Sequence, residues 1–551
     1  MSGNFQSNLQ ARRNLLKLGT CGAMTNATFL STLMHLKMTN AIMAMPVITP
    51  PSDYKALVCL FFNGAIDSFN VLTPYGTTQA DANYLTYRQS RTSAAFRRST
   101  FDDSALVNGA SAVDPAAGPA ASLYGSLLPI VSNEPGGAKT YGIHPKFSKL
   151  RGIYNNGDAT FVANVGALVE PILNYTQYYQ TSPNVKVKPI GLFSHPDQQR
   201  HWQTAVPTSR NQVTGWGGKM LDLFSDPLVA SASNVYTAIS TAGQSILLTG
   251  EQINAYSISN VSSATASSGG AVKLGGYPVT LPTTGTSNSS TVDGIYTSVQ
   301  NDFASQTYAD ILERTIRDNR KGSRDAADLF QTAYTAAVPG NITAFSVGGS
   351  GATYSGIGAA FASVAKTIKM TVVANAGASS PLQQKRQIFL VQLGGWDHHA
   401  SLVANQNNMI PAVDDALSAF YDFLVTETLL DKVTTFSISD FSRTLSYNGS
   451  GTDHAWGANA IVMGGAVNAS VGNNRIWGTY PNLALTSPSG SGIDLGRGVL
   501  IPQTSSDVYH GEICRWFGVG NNDTELKAVL PNIRNFYSSG AASPFPFLNA
   551  P

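Results

Sequence analysis

Residues 55–76, KALVCLFFNGAIDSFNVLTPYG, run apolar from Ala56 to Phe62 and then pass through Gly64 to Asp67. A continuous apolar run closed by turn residues is the pattern of a strand buried on both faces, as in a parallel sheet covered by helices. The pattern recurs along the chain. HPKFSKLRGIYNNGDATFVANVGAL (144–168) reads as helix, glycine stop and strand, and RQIFLVQLGGWD (386–397) reads as a second buried strand. Residues 403–430 carry Leu, Phe and Tyr on one helical face, KVTTFSISDFSRTLSYNGSGTDHAWGANAIVMGG (432–465) reads as strand, loop, strand, and SSDVYHGEICRWFGV (505–519) as a closing helix. Repeated strand and helix predict an α/β fold with a mostly parallel central sheet and helices on both faces.

Two regions interrupt this rhythm. Residues 77–140 are loop-like and rich in Ala, Ser, Gly and Pro, and residues 226–385 read as an insertion or cap on the sheet. The second region holds a Ser/Thr/Gly-rich tract at 256–292, low in core formers, and helical patterns starting near 299 and 357.

Composition narrows the function. Of 551 residues 12% are charged and 43% hydrophobic, with a formal net charge of +2. No concentrated basic face speaks for nucleic acid. The N-terminal ARRNLLKLGTCGAMTNATFLSTLMHLKMTNA (11–41) sets Arg12 and Arg13 before an apolar segment that ends in small residues, the form of a twin-arginine export signal. Residues 1–44 are therefore read as a signal segment for the twin-arginine export machinery and 55–551 as the folded domain, located in the periplasm, on the cell surface or outside the cell. No later stretch reaches the roughly 18 uninterrupted apolar residues of a transmembrane segment. Cys59, inside the first strand pattern, reads as a packed thiol, with a disulfide to Cys514 open to it in an oxidising compartment.

In open α/β sheets ligands bind beyond the carboxyl ends of the strands, and the polar residues gather there. Asp67 follows the first strand, Ser194 the second, Asp397 with His398 and His399 the third, and Asp440 the fourth; Asp453 and His454 sit just before a fifth. Carboxylates and imidazoles together suit zinc or manganese, and such groups are costly to bury unless paired or metal-bound. No single spacing here is a metal signature. Each residue also has a plainer role open to it: Ser194 as a helix cap, Asp453 as a loop anchor, Arg443 as the partner of a nearby carboxylate, and Trp396 and Trp456 as packing.

The blocks LVCLFFNGAIDSFNVLTPYG, IHPKFSKLRGIYNNGDATFVANVG, SHPDQQRHWQT, GWGGKMLD, VQLGGWDHHA, SDFSRTLSYNGSGTDHAWG and PQTSSDVYHGEICRWFGV resemble, in order, those of the exported family called domain of unknown function 1501. The likeness covers roughly 55–76, 141–225 and 387–520. That family is placed with the alkaline-phosphatase-like superfamily, which also holds sulfatases. By this resemblance Ser194 stands where the nucleophile opens a helix, and Asp67, Asp397, His399, Asp440 and His454 stand at metal-ligand positions, with His398 an alternative to His399. Phe441 stands where the superfamily has a histidine. The resemblance thus implies a metal-dependent hydrolase of phosphate or sulfate esters with a serine nucleophile, on small anionic or polysaccharide substrates. Beside it, His195 is open to contact the substrate or to pack beneath its loop, and Arg443 to clamp an anionic substrate. Two alternatives stay open: a degenerate member that binds an anionic ligand, and a cell-surface structural protein.

Overall fold

The computed structural model describes residues 48, 52–76, 81–98, 125–224, 236–262, 269–271, 305–306, 310–345, 356–377, 382–469, 472–485 and 492–549. The signal segment, most of the loop region before 125 and most of the Ser/Thr/Gly-rich tract lie outside these residues.

Twelve strands are described. β1 (Lys55–Phe62), β2 (Leu72–Pro74), β3 (Leu128–Glu134), β4 (Gly137–Ile143) and β5 (Ala159–Gly166) come first, followed by β6 (Ala238–Ser240), β7 (Tyr256–Ser259) and β8 (Gly270–Ala271). The last four are β9 (Arg386–Leu393), β10 (Val433–Ser439), β11 (Ala458–Met463) and β12 (Thr504–Ser505). Nine of them form one mixed, mostly parallel sheet in the order β12-β5-β11-β10-β1-β9-β6-β7-β8, and β2, β4 and β3 form a small antiparallel sheet. Within the large sheet β11 is antiparallel to both its neighbours, β10 and β5, and β8 is antiparallel to β7.

β1 shows why an unbroken apolar run makes a central strand. All eight of its residues are buried, and the strand's two-residue period sends Val58, Leu60 and Phe62 into one core and Leu57, Cys59 and Phe61 into another. The first core is closed by helices Ser148–Asn156, Gly356–Ala376 and Leu402–Thr426, and the second by Trp216–Leu223 and Ser506–Phe517. The helix Ser148–Asn156 stops at Gly157, whose φ of 89° is the left-handed cap that glycine adopts at no steric cost. Cys59 and Cys514 are buried free thiols.

The middle of the chain is built differently from the expected cap. β6, β7 and β8 extend the large sheet past β9, and helix Gly356–Ala376 buries Phe361, Val364 and Ile368 in the first core. Strands of two to four residues leave almost no periodic trace in a Ser/Thr-rich sequence, so they read as loops. Helix Gly356–Ala376 has the length and hydropathy to cross a membrane, but 78% of its apolar window is buried inside the fold. Its apolarity is that of a core helix.

Phe361 is fully buried, with its ring 5.2 Å from that of Phe420. Phe361→Ala is expected to lower unfolding free energy by about 3–5 kcal/mol, measured by chemical denaturation. A change below about 1 kcal/mol, ordinary for a surface position, would place this helix outside the core.

Candidate metal centre

Strand direction assembles the site. β1, β9, β10 and β5 point the same way, so the segments that follow them emerge on one edge. Because β11 runs against them, it begins at that edge, and His454 stands just before it. Two glycines allow the loops to touch. Gly64 has φ +110°, and a Cβ there would lie 2.9 Å from the backbone nitrogens of Trp396 and Asp397. A Cβ on Gly451 would lie 2.1 Å from the His399 carbonyl carbon.

Three imidazoles and a carboxylate meet in this space. His195 Nε2 is 3.1 Å from His454 Nε2, and His399 Nε2 is also 3.1 Å from His454 Nε2. The Asp397 carboxylate lies 3.5 Å from His195 Nε2, 3.0 Å from His399 Nε2 and 3.4 Å from His454 Nε2. One ligand atom each from His195, Asp397 and His454 lie within 4.8 Å of one another. His399 approaches from the solvent side, its side chain 47% exposed against 23% for His195 and 25% for His454.

The opposite ring nitrogens fix the protonation pattern. His454 Nδ1 is 2.7 Å from the Phe193 carbonyl oxygen, which can only accept, so Nδ1 carries the proton. His195 Nδ1 is 2.6 Å from Asp440 Oδ2, and His399 Nδ1 is 3.3 Å from Asp453 Oδ1. In a neutral ring protonated at Nδ1, Nε2 is a bare lone pair. The lone pairs of His195 and His454 therefore face each other beside an anionic carboxylate, a set that repels itself unless a cation or an added proton lies between them. Zinc bonds of 2.0–2.1 Å hold tetrahedral nitrogens about 3.3–3.4 Å apart, close to the spacing here.

Electrostatics follow from these contacts. The Asp440 hydrogen bond raises the His195 pKa against the opposing effect of burial, whereas burial lowers that of His454. Burial pushes the Asp397 carboxyl up, but the hydrogen bond and charge of Arg443 outweigh it and hold the carboxyl below its usual range.

The residues singled out in the sequence fall into distinct places. His195, expected to contact substrate, is one of the converging nitrogens. Asp440, expected as a ligand, orients His195 and accepts from Gln199 Nε2 at 2.9 Å and the Gly64 N–H at 3.3 Å. Asp67 does not join the group: it is fully buried and ion-paired with the equally buried Arg91. Arg443, expected to clamp substrate, is buried and donates to Asp397 and to the Thr452 carbonyl. Ser194 precedes helix His195–Thr204 without capping it, and its hydroxyl is hydrogen-bonded to Asp197. His399 rather than His398 faces the site; His398 is buried, which pushes its pKa down to about 4. Phe441 packs under the centre, its ring 4.7 Å from those of His195 and His454. Sequence reasoning missed Arg91 and the Phe193 carbonyl. Neither has a sequence signal, since one comes from a distant helix and the other is backbone.

A family model described as "Protein of unknown function (DUF1501)" matches residues 370–486, which supports that family for a stretch containing Asp397, His399, Asp440, Arg443, Asp453 and His454. His195 lies outside the match. No curated protein and no solved structure matches the chain.

Burial raises the Asp67 pKa against the opposing charges of Arg91 and Arg443. Arg91→Leu strands that carboxylate and is expected to destabilise the fold by about 3–5 kcal/mol, while the double change Asp67→Leu with Arg91→Leu restores most of the loss. Denaturant unfolding of the two variants checks this; a double variant as unstable as the single one contradicts it.

Proposed function

We propose that this chain is an exported hydrolase of phosphate or sulfate esters that works around a single divalent ion, zinc or manganese, held by His195, Asp397 and His454, with His399 on the open side. The observation that carries the reading is the convergence of the bare Nε2 atoms of His195 and His454, whose Nδ1 protons are committed to Asp440 and the Phe193 carbonyl. Metal-binding histidines have this outer arrangement, which fixes tautomer and ring orientation. The resemblance to the alkaline-phosphatase-like superfamily and the twin-arginine pattern at Arg12 and Arg13 agree with it.

A divalent ion held here by His195, Asp397 and His454 would supply Lewis acidity. The chain's own groups do the rest. Asp440 and the Phe193 carbonyl hold the two inner rings in place, Arg443 holds Asp397, and Phe441 keeps water from beneath the rings. Hydrolysis joins the water oxygen to phosphorus or sulfur, breaks the bond to the ester oxygen and releases it as an alcohol that takes up the proton the water loses. We assign the attack to water and leave the Ser194 hydroxyl, beside Asp197, outside the step. With an ion bound, its two positive charges and Arg443 outnumber Asp397 and Asp440, and Arg497 balances Asp453. The site then favours an anionic substrate. A binding-only role for an anionic ligand is the second reading, favoured by the closure of Asp67 onto Arg91 and by Phe441, which leave one ion to do the work of two.

Protein purified without chelator is expected to contain close to one divalent ion and to hydrolyse p-nitrophenyl phosphate or sulfate. His195→Ala should lose both properties and Ser194→Ala neither. One ion without turnover selects the binding role, and no ion overturns both readings. Asp440→Asn should weaken metal affinity roughly 10–100-fold, measured against a chelating dye. Protons compete for the bare nitrogens. Since Asp440 raises the His195 pKa, metal affinity should begin to fall as pH drops through that raised value.

A further inference from the structure

We infer that the end of the fold opposite the metal centre carries a second ligand site, which takes a small organic monocarboxylate with a neutral hydrogen-bond donor beside its acid group. The inference goes beyond the hydrolase reading and uses none of its residues.

The site is a cavity of about 440 Å³ between β3, the helix Ser148–Asn156 and residues 472–474. That volume suits a small molecule rather than a bare ion. Asn474 in its wall donates from Nδ2 to the Tyr154 carbonyl at 2.6 Å, near the end of the helix that leads into β5, whereas the metal centre lies past the far end of that strand. At about 3.3 Å per residue, the eight residues of β5 put roughly 23 Å between the two places.

β3 supplies a backbone donor. It is the outer strand of the small sheet, and Pro129 suits that edge because it has no N–H to pair. Val131 stands opposite Thr140 of β4, yet the Thr140 carbonyl accepts from the Tyr75 and Gly76 N–H groups and the Val131 carbonyl from the Tyr154 hydroxyl. The two residues therefore form a pair without hydrogen bonds between them, and the Val131 N–H points out of the sheet edge, with no acceptor among the described residues.

Arg151 supplies the charge. Its Nε donates to the Pro129 carbonyl at 3.0 Å, which leaves both terminal nitrogens for a ligand. No carboxylate lines the cavity, and none pairs with Arg151 among the described residues. A planar pair of N–H donors matches a carboxylate, and one positive charge balances a monoanion while leaving a phosphate or sulfate dianion in excess. Asn474 sets the neighbouring group: it is 6% exposed and its Oδ1 has no partner, an acceptor waiting for a hydroxyl or amide N–H. Ile130 and Val131 add apolar surface, and Asn155 stands at the rim one helical turn from Arg151. A 2-hydroxy acid and an N-acyl amino acid share the chemistry required: a carboxylate, a donor beside it and an apolar side chain.

Calorimetric titration of the full chain tests the site, with N-acetyl-L-leucine, 2-hydroxy-4-methylpentanoate, N-acetyl-L-leucinamide and inorganic phosphate as probes. The variants are Arg151→Gln and Asn155→Asp; the second keeps the Arg151 contact to Pro129 and sets a negative charge at the rim. At least one of the two acids should bind wild type, and each variant should bind it at least about tenfold more weakly, the loss expected for one charge-assisted hydrogen bond. Metal content and turnover of p-nitrophenyl esters should be the same in all three proteins. Binding of one acid and not the other supports the site and identifies which of the two sources it takes. No binding of either acid overturns the site, as does an uncharged amide bound as tightly as its acid, phosphate bound in preference to both acids, or an Asn155→Asp variant that binds like wild type.

Discussion

The site depends on a constraint on proton position. His454 gives its Nδ1 proton to a backbone carbonyl and His195 gives its own to Asp440, so neither can donate from Nε2 while neutral. The two Nε2 atoms are nevertheless packed 3.1 Å apart and flanked by Asp397. Side chains on the surface of a fold would turn away from such an arrangement, since each lone pair could be hydrated at little loss. That the rings are held in it by outer contacts makes the convergence a built feature, and a cation is the partner that satisfies every lone pair at once.

Arg443 ties the constraint to the fold. Its guanidinium is buried and grips Asp397 from the β9 loop and the Thr452 backbone from the loop before β11. A bridge between the backbones of Arg443 and His454 aligns the same two segments. The arginine thus fixes the distance between the carboxylate and an imidazole while balancing the carboxylate's charge. Beneath it, Asp67 and Arg91 neutralise each other in full burial. Such a pair contributes little net stability but is expensive to break, which makes it suited to holding the short segment after β1 in one register.

Much of this was legible in the sequence where period and position carry the information. The apolar runs that became β1, β5, β9 and β10 are buried on both faces, and the strand-end rule led to Asp397, His399 and His454 as neighbours. The antiparallel turn of β11 was invisible in sequence, yet it is what brings His454 to the same edge as Asp397. Roles were less legible than places. Whether Asp440 touches the centre or stands behind His195 is decided by a ring's rotation, and whether Asp67 is available is decided by Arg91 arriving from another helix. Three-residue strands such as β6 gave no usable period, so a stretch that extends the sheet read as something lying on top of it.

X-ray absorption at the metal edge of the purified full-length chain tests the central claim most directly. The prediction is one divalent ion with a first shell of nitrogen and oxygen at about 2.0–2.1 Å and the outer-shell scattering of at least two imidazoles, which weakens in His454→Ala. An all-oxygen shell, a second metal roughly 3.5–4 Å away, or an imidazole signal unchanged in His454→Ala would contradict it.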